Sequence, residues 1–329
     1  MSKNCYKSIS VSYAKGKHEL GILENNFREV KENEVLVRVK YSSLNYKDAL
    51  SITGKTRIIR KETLIPGLDL SGTVIQSNSK KFKKGEKVLA SGAGLGEFID
   101  GGFTEYSYVP EDVLVRIPEN LNLIDTMRLG TAGFTAAIAI EKMILNKQEK
   151  ISGPILVTGA TGGVGSISLS ILSKLGYETI ALTRKKSSKK YLKSIGASQI
   201  LQFEKINNNK ILNTKLFSGA IDNIGGEVLD WIIKSTKDNG NIVSVGMAFD
   251  SKLETTVFPF IMRGVNILGI SSTNYIGNRQ KIWESLSKRY KPKNLNIINK
   301  KSISLSDISK QSKNLLLGKN TGRIIIKMY

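Results

Sequence analysis

The sequence predicts a two-part α/β protein, a strand-rich N-terminal part followed by a doubly wound parallel sheet. Three observations predict it. Up to about residue 120, short apolar runs are separated by turn residues. From about Leu123 the pattern becomes one of helices alternating with short strands. Between the first such strand and its helix lies "VTGATGGVG", Val157 to Gly165, with four glycines in nine residues.

The elements follow in order. "EVLVRVKYSSLNY" alternates apolar and polar at its start, as a half-buried strand does. "LSGTVIQS" and "GEKVLASG" read as further strands, with Gly72 and Gly85 marking turns or bulges. "EYSYVPEDVLVRIPENL" closes this part, punctuated by two prolines. "LIDTMRLGTAGFTAAIAIEKMI" carries Ala and Ile at helical spacing. Then come strand "PILVTG", helix "GVGSISLSILSKLG", strand "ETIALT", helix "SSKKYLKSIG" and strand "QILQF". "GAIDNI" and "GNIVSVG" are strands around the helix "EVLDWIIKSTK". The tail, from about Arg263, holds strand "VNILGIS", helix "RQKIWESLSKRY" and strand "RIIIKM".

With 329 residues the chain has room for two cores, and its 40% hydrophobic and 24% charged content is ordinary for a globular protein. No run reaches the 18 or so apolar residues of a membrane span, and the N-terminus has no apolar secretory core. A single cysteine, Cys5, excludes an internal disulfide, which fits a cytoplasmic setting. The balance of 50 Lys+Arg against 28 Asp+Glu leaves +22. The basic residues are scattered and no aromatic-rich RNA motif accompanies them, so the charge reads as diffuse rather than as a specific nucleic-acid surface. Part of it can attract a polyanionic small molecule.

A glycine-rich loop can be a tight turn or a phosphate cradle. Here it follows a strand and opens a helix, the context in which a dinucleotide pyrophosphate binds. Ala160, Gly162 and Gly165 take the three positions of G-x-G-x-x-G, with alanine at the first. Gly162 lets the backbone approach the pyrophosphate, Gly165 lets helix and sheet pack closely, and the helix N-terminus supplies unpaired N–H groups. An NAD site places an acid about 20 residues on, at the end of the second strand. This strand ends in Thr183, Arg184 and Lys185, with Lys189 and Lys190 after them. A 2′-phosphate needs donors and positive charge, so the expected cofactor is NADPH.

The chain has one histidine, His18, expected in an exposed loop, and one cysteine. These cannot supply the three ligands of a catalytic zinc, so no metal is expected, and a Ser-His-Asp triad is excluded. A proton must come from Tyr, Lys, Asp, Glu or water.

The segments "SSLNYKDAL", "TGKTRIIR", "IPGLDLSGTV", "GGFTEY", "LGTAGFTAA", "VTGATGGVGS", "YLKSIGAS", "GAIDNIGGEVLD", "TTVFPFIMR" and "TGRIIIKM" span nearly the whole chain. On them the sequence resembles the medium-chain dehydrogenase/reductase superfamily, in the zinc-free quinone-oxidoreductase-like branch, and within it the acryloyl-CoA reductase (NADPH) type. The resemblance implies a GroES-like catalytic domain at 1–122, completed by 263–329, and a Rossmann domain at 123–262. It implies a homodimer through the sheet edge near "VNILGI". Zinc-binding relatives carry a Cys near the position of Asn45 and a His-Glu pair after Pro-Gly, where this chain has Leu68 and Asp69. The chain departs from its close relatives after the second strand, reading Thr-Arg-Lys for Ser-Gly-Arg.

For site residues the resemblance implies Asn45, Tyr46, Asp48 and Asp69 at the reaction centre. It implies Tyr46, Thr131, Thr161, Gly162, Gly163, Val164, Thr183, Arg184, Lys185, Gly246, Met247, Ser271 and Arg323 around the cofactor. Arg60 would meet substrate phosphate. Tyr46 reads as a donor to the substrate carbonyl or cofactor ribose, or as a wall of the cofactor site. Asp69, at the vacated metal position, reads as a partner for Lys47 or a water; Asp48 and Asp69 also read as scaffold carboxylates. Three functions stand: NADPH-dependent reduction of a short enoyl-CoA such as acryloyl-CoA, reduction of a quinone or general enone, and non-catalytic nucleic-acid binding on the same fold. An acyl-CoA partner, no membrane and no specific nucleic acid are expected.

Overall fold

The computed structural model describes residues 5–206, 208 and 210–329, which divide into two units. The chain begins with strands β1 (Cys5–Ser12), β2 (Glu19–Asn26) and β3 (Glu34–Leu44), helix α1 (Tyr46–Thr53), and strands β4 (Thr63–Leu64), β5 (Asp69–Ser77), β6 (Lys87–Ser91), β7 (Tyr106–Pro110) and β8 (Val115–Arg116). Helix α2 (Leu123–Leu145) follows. Next come β9 (Ile155–Val157), α3 (Gly163–Lys174), β10 (Thr179–Thr183), α4 (Lys189–Ser194), β11 (Gln199–Gln202), β12 (Phe217–Asp222), α5 (Gly226–Ser235), β13 (Thr236–Ser244), α6 (Phe258–Arg263) and β14 (Asn266–Gly269). The tail adds α7 (Arg279–Ser287), α8 (Leu295–Ile298), β15 (Asn299–Ile303), α9 (Ile308–Leu316) and β16 (Arg323–Lys327).

The first unit runs to Thr131 and regains the chain at Ser272–Ser287 and Asn299–Tyr329. Its larger sheet has the order β15-β16-β3-β5-β6-β8, with β7 also paired to β3; a smaller sheet has the order β2-β1-β4. Alternate residues of β3, β5 and β6 point inward: Val35, Val37, Val39, Leu70, Val74, Val88 and Ala90 join one apolar cluster. The strand read through to Tyr46 stops at Leu44. Asn45 is the N-cap of α1 and its amide donates to Asp48 Oδ2 at 2.9 Å, three residues on, so the side chain of Asp48 starts the helix. Antiparallel pairing of β16 with β3 sets Ile324 opposite Leu44, which brings Arg323 beside Asn45.

The second unit is Ala132–Ser271 with Lys288–Ile298. Its sheet, β11-β10-β9-β12-β13-β14, is parallel throughout, the doubly wound order with β9 and β12 at the switch point. Leu156, Leu182, Ala220 and Ile242, from four neighbouring strands, share its core. The tail therefore divides differently from the expected break at Arg263. Strand β14 continues the parallel ladder of β13, with Asn241 opposite Asn266. Lys174 Nζ donates to the carbonyls of Lys288 and Lys291, at 2.7 and 2.9 Å, and ties that segment to α3.

Among the described residues, α2 is long and apolar enough to cross a membrane by length and composition. Its apolar window is 72% buried within the protein, as in a core helix. The helix is also broken at Gly130, where φ is 52° and ψ is −156°.

Candidate active site

In the first unit, a buried polar cluster gathers where β3 ends, β5 begins and α2 kinks. Asp69 is fully buried, and every partner it has is a donor. Thr131 gives Oδ1 both its amide and its hydroxyl, each at 2.7 Å. Oδ2 accepts from Asn45 Nδ2 at 2.8 Å, from the Ser43 hydroxyl, and from Arg323 Nη2 at 3.4 Å. Arg323 Nη2 also donates to Ser43 Oγ at 2.5 Å, and Nη1 donates to Asn45 Oδ1 at 2.8 Å. A buried carboxyl group with this many donors has its hydrogen-bonding capacity satisfied.

Three expectations change here. Asp69 does not hold Lys47: the Lys47 ammonium pairs with the buried Glu97, on the loop after β6. Asp69 is instead the hub that ties Ser43, Asn45, Thr131 and Arg323 together. Arg323, expected at the cofactor, is 3% exposed and uses both amino groups within the cluster. His18 is not an exposed loop residue either. It lies half-buried over Gly54, with Nε2 2.9 Å from the Ser51 carbonyl.

Asp48 is buried in the first turn of α1. Its Oδ2 accepts from Asn45 N and, at 3.1 Å, from Asn45 Nδ2; its Oδ1 accepts from Leu68 N at 3.0 Å. Burial pushes its pKa up to about 7, with the Asp69 charge adding and these donors opposing. The folded protein thus holds this proton more tightly than the unfolded chain, where the ordinary value is 3.8. The stability it contributes is complete below that value and is lost as pH rises through about 7. Asp48→Asn is expected to remove that slope from the pH dependence of unfolding free energy, measured by denaturant titration. A slope unchanged in the variant would assign the titration elsewhere.

Tyr46 opens α1, is 43% exposed, and its hydroxyl makes no hydrogen bond among the described residues. Lys47, next to it, has its pKa lowered by burial and by Arg60, against the pull of Asp48. Arg60 is exposed; its backbone amide donates to the Glu97 carbonyl at 2.8 Å. One turn of helix thus carries a free phenol, an ammonium of reduced basicity and a buried carboxylate.

In the second unit, the glycine loop joins β9 to α3. The positive φ, +54°, falls on Gly159 and not on the position of Ala160, so alanine there breaks no conformational requirement. A Cβ on Gly165 would lie 2.4 Å from the Gly159 carbonyl oxygen, and one on Gly162 would lie 3.2 Å from it. The first intrahelical bond runs from Ser166 N to Gly162 O at 2.9 Å. The amides of Gly163, Val164 and Gly165 stand ahead of it, at the end of the helix that favours an anion. Thr161 is buried beside them. This cradle fits a dinucleotide pyrophosphate.

Thr183 ends β10, with its hydroxyl accepting from Lys185 N at 3.0 Å. Arg184 is exposed, its guanidinium 5.5 Å from the ring centre of Phe203. Lys185 is half-buried, and burial lowers its pKa. Gly246 and Met247 follow β13, Met247 well exposed, and Ser271 is exposed just beyond β14. Sequence reasoning missed Thr158, Asp222 and Asn223. Thr158 Oγ1 donates to Asp222 Oδ1 at 2.7 Å, and Asn223 Nδ2 donates to the Thr158 carbonyl at 2.7 Å. They lace the ends of β9 and β12 at the switch point. The polar pair closing the apolar run "GAI" was their signal.

Two family models match the chain. The alcohol dehydrogenase GroES-like domain matches residues 31–119, and the zinc-binding dehydrogenase model matches residues 163–289. Among the described residues no three His, Cys, Asp or Glu side chains group as a metal site. The acrylyl-CoA reductase AcuI of Ruegeria pomeroyi is 36% identical over 94% of this chain and 95% of its own. The yhdH oxidoreductase of Salmonella enterica, solved in complex with NADP, superposes with a TM-score of 0.93 at 35% identity, covering 98% of this chain and 100% of its own. Bacillus subtilis yhfP, solved with NAD bound, gives 0.92 at 35% identity, covering 98% and 99%.

Proposed function

The chain belongs to the medium-chain dehydrogenase/reductase superfamily, in its zinc-free acryloyl-CoA reductase type, and from that premise we propose that it uses NADPH to reduce the double bond of a short enoyl-CoA, acryloyl-CoA to propanoyl-CoA. The observation that carries the reading is the first turn of α1. A free Tyr46 hydroxyl stands there beside Lys47, in a chain that aligns nearly end to end with an acrylyl-CoA reductase.

Held at the glycine loop between β9 and α3, NADPH would supply the hydride that the β-carbon of the enoyl thioester needs. The residues of the chain have the rest to do. Negative charge develops on the thioester oxygen, and the Tyr46 hydroxyl is the donor that stabilises it. The α-carbon then takes a proton, from Lys47 or from water that the exposed side of α1 admits. Asn45, Asp48 and Asp69 hold this turn in place. Arg60 is exposed and meets a phosphate of the CoA. The amides of Gly163, Val164 and Gly165 would hold the pyrophosphate of the cofactor, and Thr183, Arg184 and Lys185 its 2′-phosphate.

The basic Thr-Arg-Lys run, in a position where NAD sites carry an acid, supports NADPH over NADH. A charge-assisted contact contributes about 1.5–3 kcal/mol, so even at the lower bound one gives about tenfold and two about a hundredfold. Replacing Arg184 and Lys185 with Ala is expected to raise the KM for NADPH by that range and leave the KM for NADH nearly unchanged. Equal losses with both would make the loop scaffolding.

We place the protein in the cytoplasm, where NADPH and CoA thioesters are available, and as a homodimer. The free edge of β14 and the exposed Val257, Ile261 and Met262 around α6 support the second point. Turnover of acryloyl-CoA against its pantetheine thioester and a simple quinone tests the reaction, because the CoA phosphates can contribute binding energy that a truncated substrate lacks.

A further inference from the structure

Asn45 sits between one cation and two carboxylates, and its amide is oriented by all three. Its Oδ1 faces Arg323 Nη1 at 2.8 Å. Its Nδ2 faces Asp69 Oδ2 at 2.8 Å and Asp48 Oδ2 at 3.1 Å. The reverse orientation would set a donor against the guanidinium and an acceptor against both carboxylates. Only a forked cation can reach Asn45 with one amino group while the other meets Ser43 and Asp69. Arg323 arrives there from the far end of the sequence, delivered by the pairing of β16 with β3. The space is closed: a Cβ on Gly130 would lie 2.6 Å from Arg323 Nη2.

We propose that Arg323 is a positioning residue, which by clamping the Asn45 amide between itself and Asp69 fixes the first turn of α1 and therefore the direction of Tyr46 and Lys47. The inference rests on the enoyl-CoA reading for its kinetic consequence and on the cluster alone for its structural one. Simple stabilisation by a buried ion pair makes a different forecast. Neutralising both partners of such a pair restores stability. It does not restore the fork on Asn45.

The test uses Arg323→Met, Arg323→Lys and the double variant Asp69→Asn with Arg323→Met, each checked for folding by thermal melting. Two readouts follow: kcat with acryloyl-CoA, and amide hydrogen exchange over Asn45–Ala49, which needs no substrate. In the folded double variant, exchange over this segment is expected to accelerate by at least about tenfold. With NADPH affinity by fluorescence within about threefold, kcat is expected to fall by at least about tenfold. Arg323→Lys keeps the charge without the fork, and is expected to recover melting temperature and not kcat. Unchanged exchange and unchanged kcat in the folded double variant would overturn the proposal, as would full recovery of kcat by Lys. Should acryloyl-CoA not be a substrate of the wild-type protein, the enoyl-CoA reading fails, and the exchange measurement alone decides the role of Arg323.

Discussion

Replacing Tyr46 with Phe is expected to lower kcat with acryloyl-CoA by about 10²–10³, the loss found when one donor aimed at a developing oxyanion is removed. Several observations set the size. The hydroxyl is free among the described residues, so its hydrogen bond is available to a ligand. The residue opens a helix whose first turn is tied to a buried network, so the donor is held before the substrate arrives. The chain has one histidine, and it bonds the Ser51 carbonyl, which leaves few other acids for the task. NADPH affinity should stay within about threefold, because a donor used only in the transition state contributes little to ground-state binding. Steady-state kinetics with a parallel NADPH titration checks this. A change of kcat within about threefold would make Tyr46 a wall of the cofactor site.

Gly130→Ala is expected to be strongly destabilising, because it adds backbone strain to a clash with the Asp69 cluster. Its φ of 52° with ψ of −156° lies where only glycine is at ease. A Cβ there would lie 2.5 Å from Asp69 Oδ2, 2.6 Å from Arg323 Nη2 and 2.9 Å from Ser43 Oγ. These atoms are buried and bonded to one another, so none can move aside without breaking a charged hydrogen bond. Backbone strain of about 1–3 kcal/mol and the broken bonds together give a loss of about 3–5 kcal/mol. Denaturant unfolding measures it. A loss below about 1 kcal/mol would mean that α2 and the cluster adjust freely, and that the packing around Asp69 is loose.

Much of the second unit was legible in the sequence because its signals are local. Alternating strands and helices give a parallel sheet, here in the order β11-β10-β9-β12-β13-β14. The glycine loop was readable by its place between strand and helix, although the apparent defect at Ala160 disappears only once the turn is seen to fall on Gly159. The first unit hid more. Nothing near Arg323 in the sequence says that it faces Asn45, because β16 reaches β3 across some 280 intervening residues. Asp69 and Lys47 looked like partners by charge. The loop after β6, which presents Glu97 to Lys47, turns through positive φ at Gly92, Ala93, Gly94 and Gly96, a path that residue types do not announce. Likewise "SSLNY" reads as one continuous strand until Asp48 is seen to cap Asn45 and turn the chain into α1.

The electrophile is identified by following NADPH oxidation with acryloyl-CoA, crotonyl-CoA and a simple quinone side by side, with the acyl product identified. Acryloyl-CoA is expected to give propanoyl-CoA with a kcat/KM at least about a hundredfold above the quinone, since remote contacts to the CoA act only on the CoA thioester. A quinone reduced as fast as or faster than both CoA esters would contradict the enoyl-CoA reading.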